Sequence, residues 1–405
     1  MLISVSQPHW RTLTFFRDCA AYLRRGGAGW WVVGASLLLS IVGILAIDVA
    51  SPARAGVLAP AAAKQLLYTA VGVFACVIMC VPHYRRWGHV SWILYAGSLL
   101  LLLFLLLPFL PASVVRARGG ARAWIDLGPV DLQPSELMKP ALVLVLAWYL
   151  RYRKNHRKLP GLLPPAIITG LPMGMIMLQP DLGSAILFIP ALFFVLFAAG
   201  ARTKHLVLVI AVAMLAAPAA YPLLKPHQKQ RIAGLIMQAK GDDRADLDIN
   251  MQSVTAQRMI GAGRLTGMSE EAARTLHRFN ALPERHNDMV FAVICTRWGL
   301  LGALGVLTLF VAWSGAAFTV AAACAEPFGR LIVVGCVGFL AAQVVINIGM
   351  NLGLLPIIGI TLPFVSNGGS SMLAQWMMTG LVLGVALHKP AHEFGRNLEW
   401  SDDDA

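Results

Sequence analysis

Charge is what this chain has least of: only 13% of its 405 residues are Asp, Glu, Lys or Arg, while 58% are hydrophobic. A soluble domain carries about twice that charged share, so the composition excludes one and leaves a polytopic membrane protein with no soluble domain to spare. Cysteine is scarce as well. The six (Cys19, Cys76, Cys80, Cys295, Cys324 and Cys336) lie in or beside apolar runs without a CxxC pair, which argues against a disulfide framework or a zinc site and reads them as core residues. The first apolar run lacks a convincing small-residue cleavage site and is long enough to span, so it is kept as the first helix and not as a signal peptide.

What is present is a series of apolar runs, each about long enough to cross a ~30 Å hydrocarbon core as a helix. Ten are expected: 30–49, 66–81, 90–107, 134–150, 162–178, 183–200, 206–224, 289–313, 331–350 and 369–388. The fold class is therefore all-α, one membrane domain spanning 1–405, with a large loop at 225–288 between the seventh and eighth spans. An even count puts the segments 1–29 and 389–405 on one side. The net charge of +13 is spread over short loops, which reports topology and not a nucleic-acid partner. With both termini cytoplasmic, the inner segments hold sixteen Lys and Arg and the short outer ones six, as the positive-inside rule requires. The long outer loop is nearly balanced in charge, so its chemistry must be local; short helices on the membrane surface are expected there.

The candidate site residues gather at span starts on the outer side. Asp288 closes the polar stretch of LPERHNDMVF, at the boundary of water and hydrocarbon, where desolvation raises a carboxylate towards the range in which it works as a base. The same position suits a helix N-cap, for Asp288 or Asn287. Glu136 and Lys139 in QPSELMKP share one helical face; Glu136 and Pro134 are usual in a first turn, but Lys139 opposes the helix dipole, and an ionisable group at membrane depth points to a site. Asp181 in QPDLGS stands at a tight turn as a cap or a site residue. The stretch Ser366, Asn367, Gly368, Gly369, Ser370, Ser371 lacks GK[ST], yet opens a helix whose N–H groups could hold a phosphate. Arg122, beside the interfacial Trp124, could clamp one too. Gly261, Gly263 and Gly267 are a weak signal alone. Together these groups suggest a pocket open to outer water and bilayer, suited to a lipid-linked anionic substrate.

In order, QPSELMK, QPDLGS, LKPHQKQRI, QSVTAQRMIGAGRLTG, LPERHNDMVFAV and NIGMNLGLLPIIGITLPFVSNGGSS resemble the SEDS proteins (RodA, FtsW and sporulation relatives) over nearly the whole chain. The PERH, the NIGM at Asn347 to Met350 and SIVGILAI look closer to the RodA branch. The resemblance implies a peptidoglycan glycosyltransferase of the bacterial cytoplasmic membrane that polymerises lipid II on the outer face and works with a class B penicillin-binding transpeptidase. It puts the family's catalytic Asp on Asp288, its QPSExxK pair on Glu136 and Lys139, and its QPDLG aspartate on Asp181. No cofactor is evident, beyond a possible divalent cation such as Mg2+ or Mn2+. The chain departs from the family at Ala123, where an arginine is usual, at Thr296 and Arg297 in place of a glutamate pair, at Ala262 and Arg264 in the glycine stretch, and at Asn367. The RodA-like reading implies a role in cell-wall elongation and cell shape; a flippase for the lipid-linked precursor, a non-catalytic scaffold for the transpeptidase and a division-type, FtsW-like polymerase are the rival functions.

Overall fold

The computed structural model describes residues 26–388 apart from 52–57, 109–110, 112–114, 119–120, 127, 129–130, 221, 223–228, 231–232, 235–236, 238–250 and 280–283. The segment 1–25, the tail 389–405, and most of LKPHQKQRI with the acidic stretch after it lie outside the described residues.

Among the described residues, ten helical segments correspond to the ten apolar runs. They are α1 (Ala28–Ala50), α2 (Pro60–Cys80), α3 (Tyr84–Leu106), α4 (Pro134–Leu150) and α5 (Leu163–Leu178), then a broken sixth made of α6 (Leu182–Ile186) and α7 (Phe188–Ala198), then α8 (Thr203–Ala220). After two helices of the long loop, α9 (Met251–Ala262) and α10 (Glu270–Phe279), come α11 (Val290–Ala323), α12 (Pro327–Asn351) and α13 (Gly369–His388). Seven are long and apolar enough to cross a membrane by themselves, the sixth and seventh segments are shorter apolar helices, and α4 is a shorter helix of 17 residues. The expected bounds shift outward: the second span starts at Pro60, the third at Tyr84, and the eighth runs on to Ala323.

Local chemistry explains the breaks. Pro190 has no N–H for the Ile186 carbonyl and its ring crowds that oxygen, so α6 ends at Ile186 and α7 begins afresh at Phe188. In α4, Pro134 sits at the start, where its missing N–H costs nothing, while Pro140 removes the bond that the Glu136 carbonyl would accept.

The third break is tertiary. Gly299, at φ 65° and ψ −159°, interrupts α11, and the chain after α9 fills the gap. Leu300 and Leu301 donate their N–H groups to the carbonyls of Arg264 and Leu265 at 2.9 and 3.1 Å, and Met268 N–H donates to the Thr296 carbonyl at 3.0 Å. A Cβ at Gly299 would stand 2.4 Å from the Gly267 nitrogen, and one at Gly263 only 1.9 Å from the Cys295 carbonyl oxygen. Gly263 and Gly267 of IGAGRLTG therefore let one backbone lie against the other, while Gly261 faces open space. Thr296 and Arg297, the departures from the family pattern, join the same seam: Thr296 Oγ1 donates to the Met259 carbonyl at 3.1 Å and Arg297 Nη1 to that of Met268 at 2.9 Å.

Between α3 and α4 the chain forms a small antiparallel sheet in the order β1 (Val115–Arg118), β2 (Ala121–Asp126) and β3 (Asp131–Leu132). It adds a minor strand element to a protein otherwise built of helices. Its apolar face, Val115, Ile125 and Leu132, packs on Leu105 at the end of α3. The core of the bundle is formed by α11, α12, α13 and α4, and α12 is buried along most of its length. Small residues let α2 approach α13: a Cβ at Gly380 would meet the Cys76 carbonyl oxygen at 2.4 Å.

Candidate functional site

Since the spans alternate in direction, the starts of α2, α4, α6, α11 and α13 and the end of α12 come to one end of the bundle. There they enclose a cavity of about 590 Å³. Asp288, Glu136, Asp181, Gly368 and Gly369, from four distant stretches of sequence, all line it.

Asp288 is 6% exposed, and its position is set by its backbone. The amides of Asn347 and Asn351, one turn apart on α12 and both fully buried, donate to the Asp288 carbonyl at 2.8 and 3.0 Å. Asn347 also donates to the Ile360 carbonyl at 2.7 Å, and Asn351 Oδ1 accepts the Ala292 N–H at 3.3 Å. On the approach, Glu284 adopts φ 54°, a conformation disfavoured for a residue with a side chain. Its carbonyl accepts the N–H groups of Asn287 and Met289 at 2.9 and 3.3 Å, and its carboxylate accepts from the Asn287 amide. Asp288 is thus delivered by a tight turn and pinned against α12. The capping alternative fails: Met289 is the N-cap of α11, and no side chain caps it.

Glu136 and Lys139 form an ion pair of 2.6 Å, with the lysine fully buried and the glutamate 5% exposed. Glu136 lines the cavity and Lys139 does not, so the cation expected to touch substrate instead stands behind the carboxylate and holds it. Asp181 is both cap and lining residue. Its carboxylate accepts the Ser184 N–H at 3.0 Å, the Ser184 hydroxyl at 2.7 Å and the Gln133 amide at 3.0 Å.

Ser366 and Ser370 do not line the cavity and instead tie elements together. Ser366 Oγ accepts the Leu362 N–H at 2.8 Å, while its carbonyl accepts the Gln65 amide at 2.9 Å. Ser370 Oγ donates to the Asp131 carbonyl and accepts the Gln133 N–H, both at 2.9 Å, joining α13 to β3. Ser371 lines the cavity in their place and hydrogen-bonds Thr361 at 2.9 Å. Asn367 N–H donates to the His286 carbonyl at 2.8 Å, so the glycine-serine turn and the Asp288 turn brace each other. Arg122 shares a strand face with Trp124, two positions on, but only Trp124 reaches the cavity.

The described lining carries five carboxylates, Asp131, Glu136, Asp181, Glu284 and Asp288, and one cation, Lys64 on α2, one turn before Tyr68. Sequence reasoning missed Lys64, Tyr68 and the amides of Gln133, Gln343 and Asn287. Lys64 fell just before the expected second span and looked like a loop residue. No group of three or more His, Cys, Asp and Glu side chains able to hold a metal ion occurs among the described residues, and no step is routed through a divalent cation.

Behind the cavity, in the long loop, α10 is clamped to the end of α1. Arg274 pairs with Asp48 and Glu270, and its Nη1 donates to the Asp48 carbonyl at 2.9 Å. His277, 1% exposed, is pushed down to about 4 by burial, with the nearby Arg285 and His286 adding to the effect. Burial and Arg285 lower His286 as well, against the pull of Glu284.

The family model described as cell cycle protein, covering FtsW, RodA and SpoVE, matches residues 29–391. The stage V sporulation protein E of Bacillus subtilis is 32% identical over 331 residues, 80% of this chain and 86% of that protein. The probable peptidoglycan glycosyltransferase FtsW of Coxiella burnetii is 32% identical over 88% of this chain and 95% of its own length. Among solved structures, a peptidoglycan synthase complex that coordinates polymerization and crosslinking contains a chain matching at TM-score 0.74 and 33% identity, covering 88% of this chain and 97% of that one. The rod shape determining protein RodA of Thermus thermophilus matches at TM-score 0.63 and 30% identity, covering 88% and 96%. The resemblance read from the motifs therefore holds across fold and sequence alike: the chain belongs to the SEDS family, that of FtsW, RodA and the stage V sporulation protein E.

Proposed function

We propose that this chain is a peptidoglycan glycosyltransferase that polymerises lipid II at the outer face of the bacterial cytoplasmic membrane, with both termini in the cytoplasm. The observation that carries the reading is Asp288, buried at the cavity wall with its backbone held by two asparagine amides of α12.

Asp288 takes the proton of the acceptor sugar's 4-hydroxyl. That oxygen forms a bond to the anomeric carbon of the donor as the bond to undecaprenyl pyrophosphate breaks, and the single displacement inverts that carbon. Glu136, held by Lys139, shapes the floor, and Asp181, held by Gln133 and Ser184, binds sugar hydroxyls. The leaving diphosphate belongs at the cationic side of the cavity, at Lys64, with the N–H groups at Gly368 and Gly369 as further donors. Arg122, outside the lining, acts at most on the approach of the substrate.

A class B penicillin-binding transpeptidase is the partner this reading calls for, supported by the match to a complex that couples polymerization with crosslinking. The PERH and NIGM motifs favour a role in elongation and cell shape; relatives named FtsW favour division. Depletion in the source cell separates the two, since rounding marks elongation and filamentation marks division.

The testing experiment incubates purified protein and a cognate transpeptidase with labelled lipid II. A glycan ladder from wild type and none from Asp288→Ala is the expected result. No ladder from either, with a divalent cation supplied, would overturn the polymerase and leave a flippase or a scaffold.

A further inference from the structure

At the cavity wall stands a buried amide pair that the proposed chemistry has not used. Gln343 on α12 is fully buried and Gln375 on α13 is 1% exposed. Gln375 Nε2 donates to Gln343 Oε1, which leaves Gln343 Nε2 buried without a protein acceptor, on a residue that lines the cavity. Glu136 repeats the pattern with the opposite sense: Oε1 takes the Lys139 proton donor, and the buried Oε2 has no donor. A buried donor and a buried acceptor without partners are costly, and both are in walls of one cavity. A ligand that presents a carbonyl oxygen and an N–H satisfies the two at once. That is the chemistry of a secondary amide.

We propose that Gln343, oriented by Gln375, and Glu136 form the subsite that recognises the 2-acetamido group of the sugar, with Gln343 Nε2 donating to its carbonyl and Glu136 Oε2 accepting its N–H. The register of α12 places this subsite. Gln343 lies four residues before Asn347 on the same helical face, about 6 Å along the axis, and Asn347 fixes the Asp288 backbone. A ring whose 4-hydroxyl meets Asp288 thus sets its acetamido group about one turn deeper, as two substituents flanking a single ring carbon allow. The assignment rests on the glycosyl-transfer reading and names what in the substrate that cavity selects.

The test measures equilibrium binding, which needs no turnover, of two lipid-linked disaccharides to the protein in nanodiscs: one N-acetylated, one with free amines. Wild type is expected to prefer the acetylated lipid by about tenfold, the worth of one or two buried hydrogen bonds. Gln343→Met should erase the preference. Gln343→Glu keeps the oxygen that accepts from Gln375 and replaces only the free donor, so it should erase the preference too, in a protein whose packing is preserved. Equal affinity of wild type for both lipids, or a preference undiminished in both variants, overturns the subsite. Preference lost as expected but no glycan ladder from wild type would sink the polymerase reading alone.

Discussion

The two ends of the bundle use polar residues in opposite ways. At the cavity end they are buried and bind backbone far away in sequence: Asn347 and Asn351 reach Asp288, Gln65 reaches Ser366, and Ser370 reaches Asp131. At the other end, polar groups are more often charged and exposed, as in the turns of 155–162 and in the pair Arg85–Glu326, which joins α3 to the start of α12 with the arginine side chain 56% exposed. A buried amide that loses its partner leaves an unsatisfied group, whereas an exposed charge falls back on water. One end therefore holds a geometry, and the other records which way the chain was inserted.

The sharpest way to break that contrast is at Asp288. Asp288→Asn keeps the shape and every backbone bond and removes only the basic oxygen, so polymerisation should fall by about 10² to 10⁴ while thermal stability stays within about 1 kcal/mol. A variant that retains most of its rate would show that the carboxylate is not the base. Next come the amides that hold it. Asn347→Leu leaves the Ile360 carbonyl without this donor and the Asp288 carbonyl with only that of Asn351, which should cost about 1 to 3 kcal/mol and lower kcat by about tenfold or more, with KM little changed. A stability loss with kcat intact would confine Asn347 to folding.

Which parts of this were legible in the sequence follows from how each is encoded. The apolar helices were, because hydrocarbon thickness sets their length and composition residue by residue. Asp288, Glu136 and Asp181 were, because a charge in an apolar chain stands out. Lys139 was read in the right place but with the wrong reach, since spacing shows a shared helical face and not which partner blocks the way. Asn347, Asn351, Gln343 and Gln375 carry the geometry yet are neutral and lie inside apolar runs, where a single amide hardly alters the hydropathy. The break at Gly299 was hidden because it is caused by a backbone thirty residues upstream. The sheet left a signal that went unused: VRAR, Gly-Gly, ARAWID alternates about a glycine pair as a hairpin does, and Arg118 pairs with Ala121 across it.

A smaller effect should come from the loop behind the cavity. His277 has a folded pKa of about 4 against the ordinary 6.5. Above about 6.5 it is neutral folded or unfolded and contributes no pH dependence. Between the two values only the unfolded segment takes up the proton, so stability falls as pH drops, by about 2 kcal/mol at pH 5. Amide exchange in α10, corrected for its intrinsic rate, should therefore be faster at pH 5 than at pH 7, and His277→Gln should remove most of that difference. Equal protection at both pH values in wild type would mean that the ring accommodates its charge.

The weakest expected effect lies at the opposite end and is the control for all the others. Glu326 accepts from Arg85 Nε at 2.7 Å and from the Tyr84 hydroxyl at 2.5 Å, a geometry as close as any at the cavity. Yet Arg85 is mostly in water, and an exposed pair is worth about 0 to 1 kcal/mol after side-chain ordering and screening. Arg85→Ala should therefore shift the melting temperature by a few degrees at most and leave the glycan ladder unchanged, because Tyr84 still satisfies the carboxylate. A loss of polymerisation in this variant would show that the two ends are coupled through the bundle, and that short distances at the far end carry geometry after all.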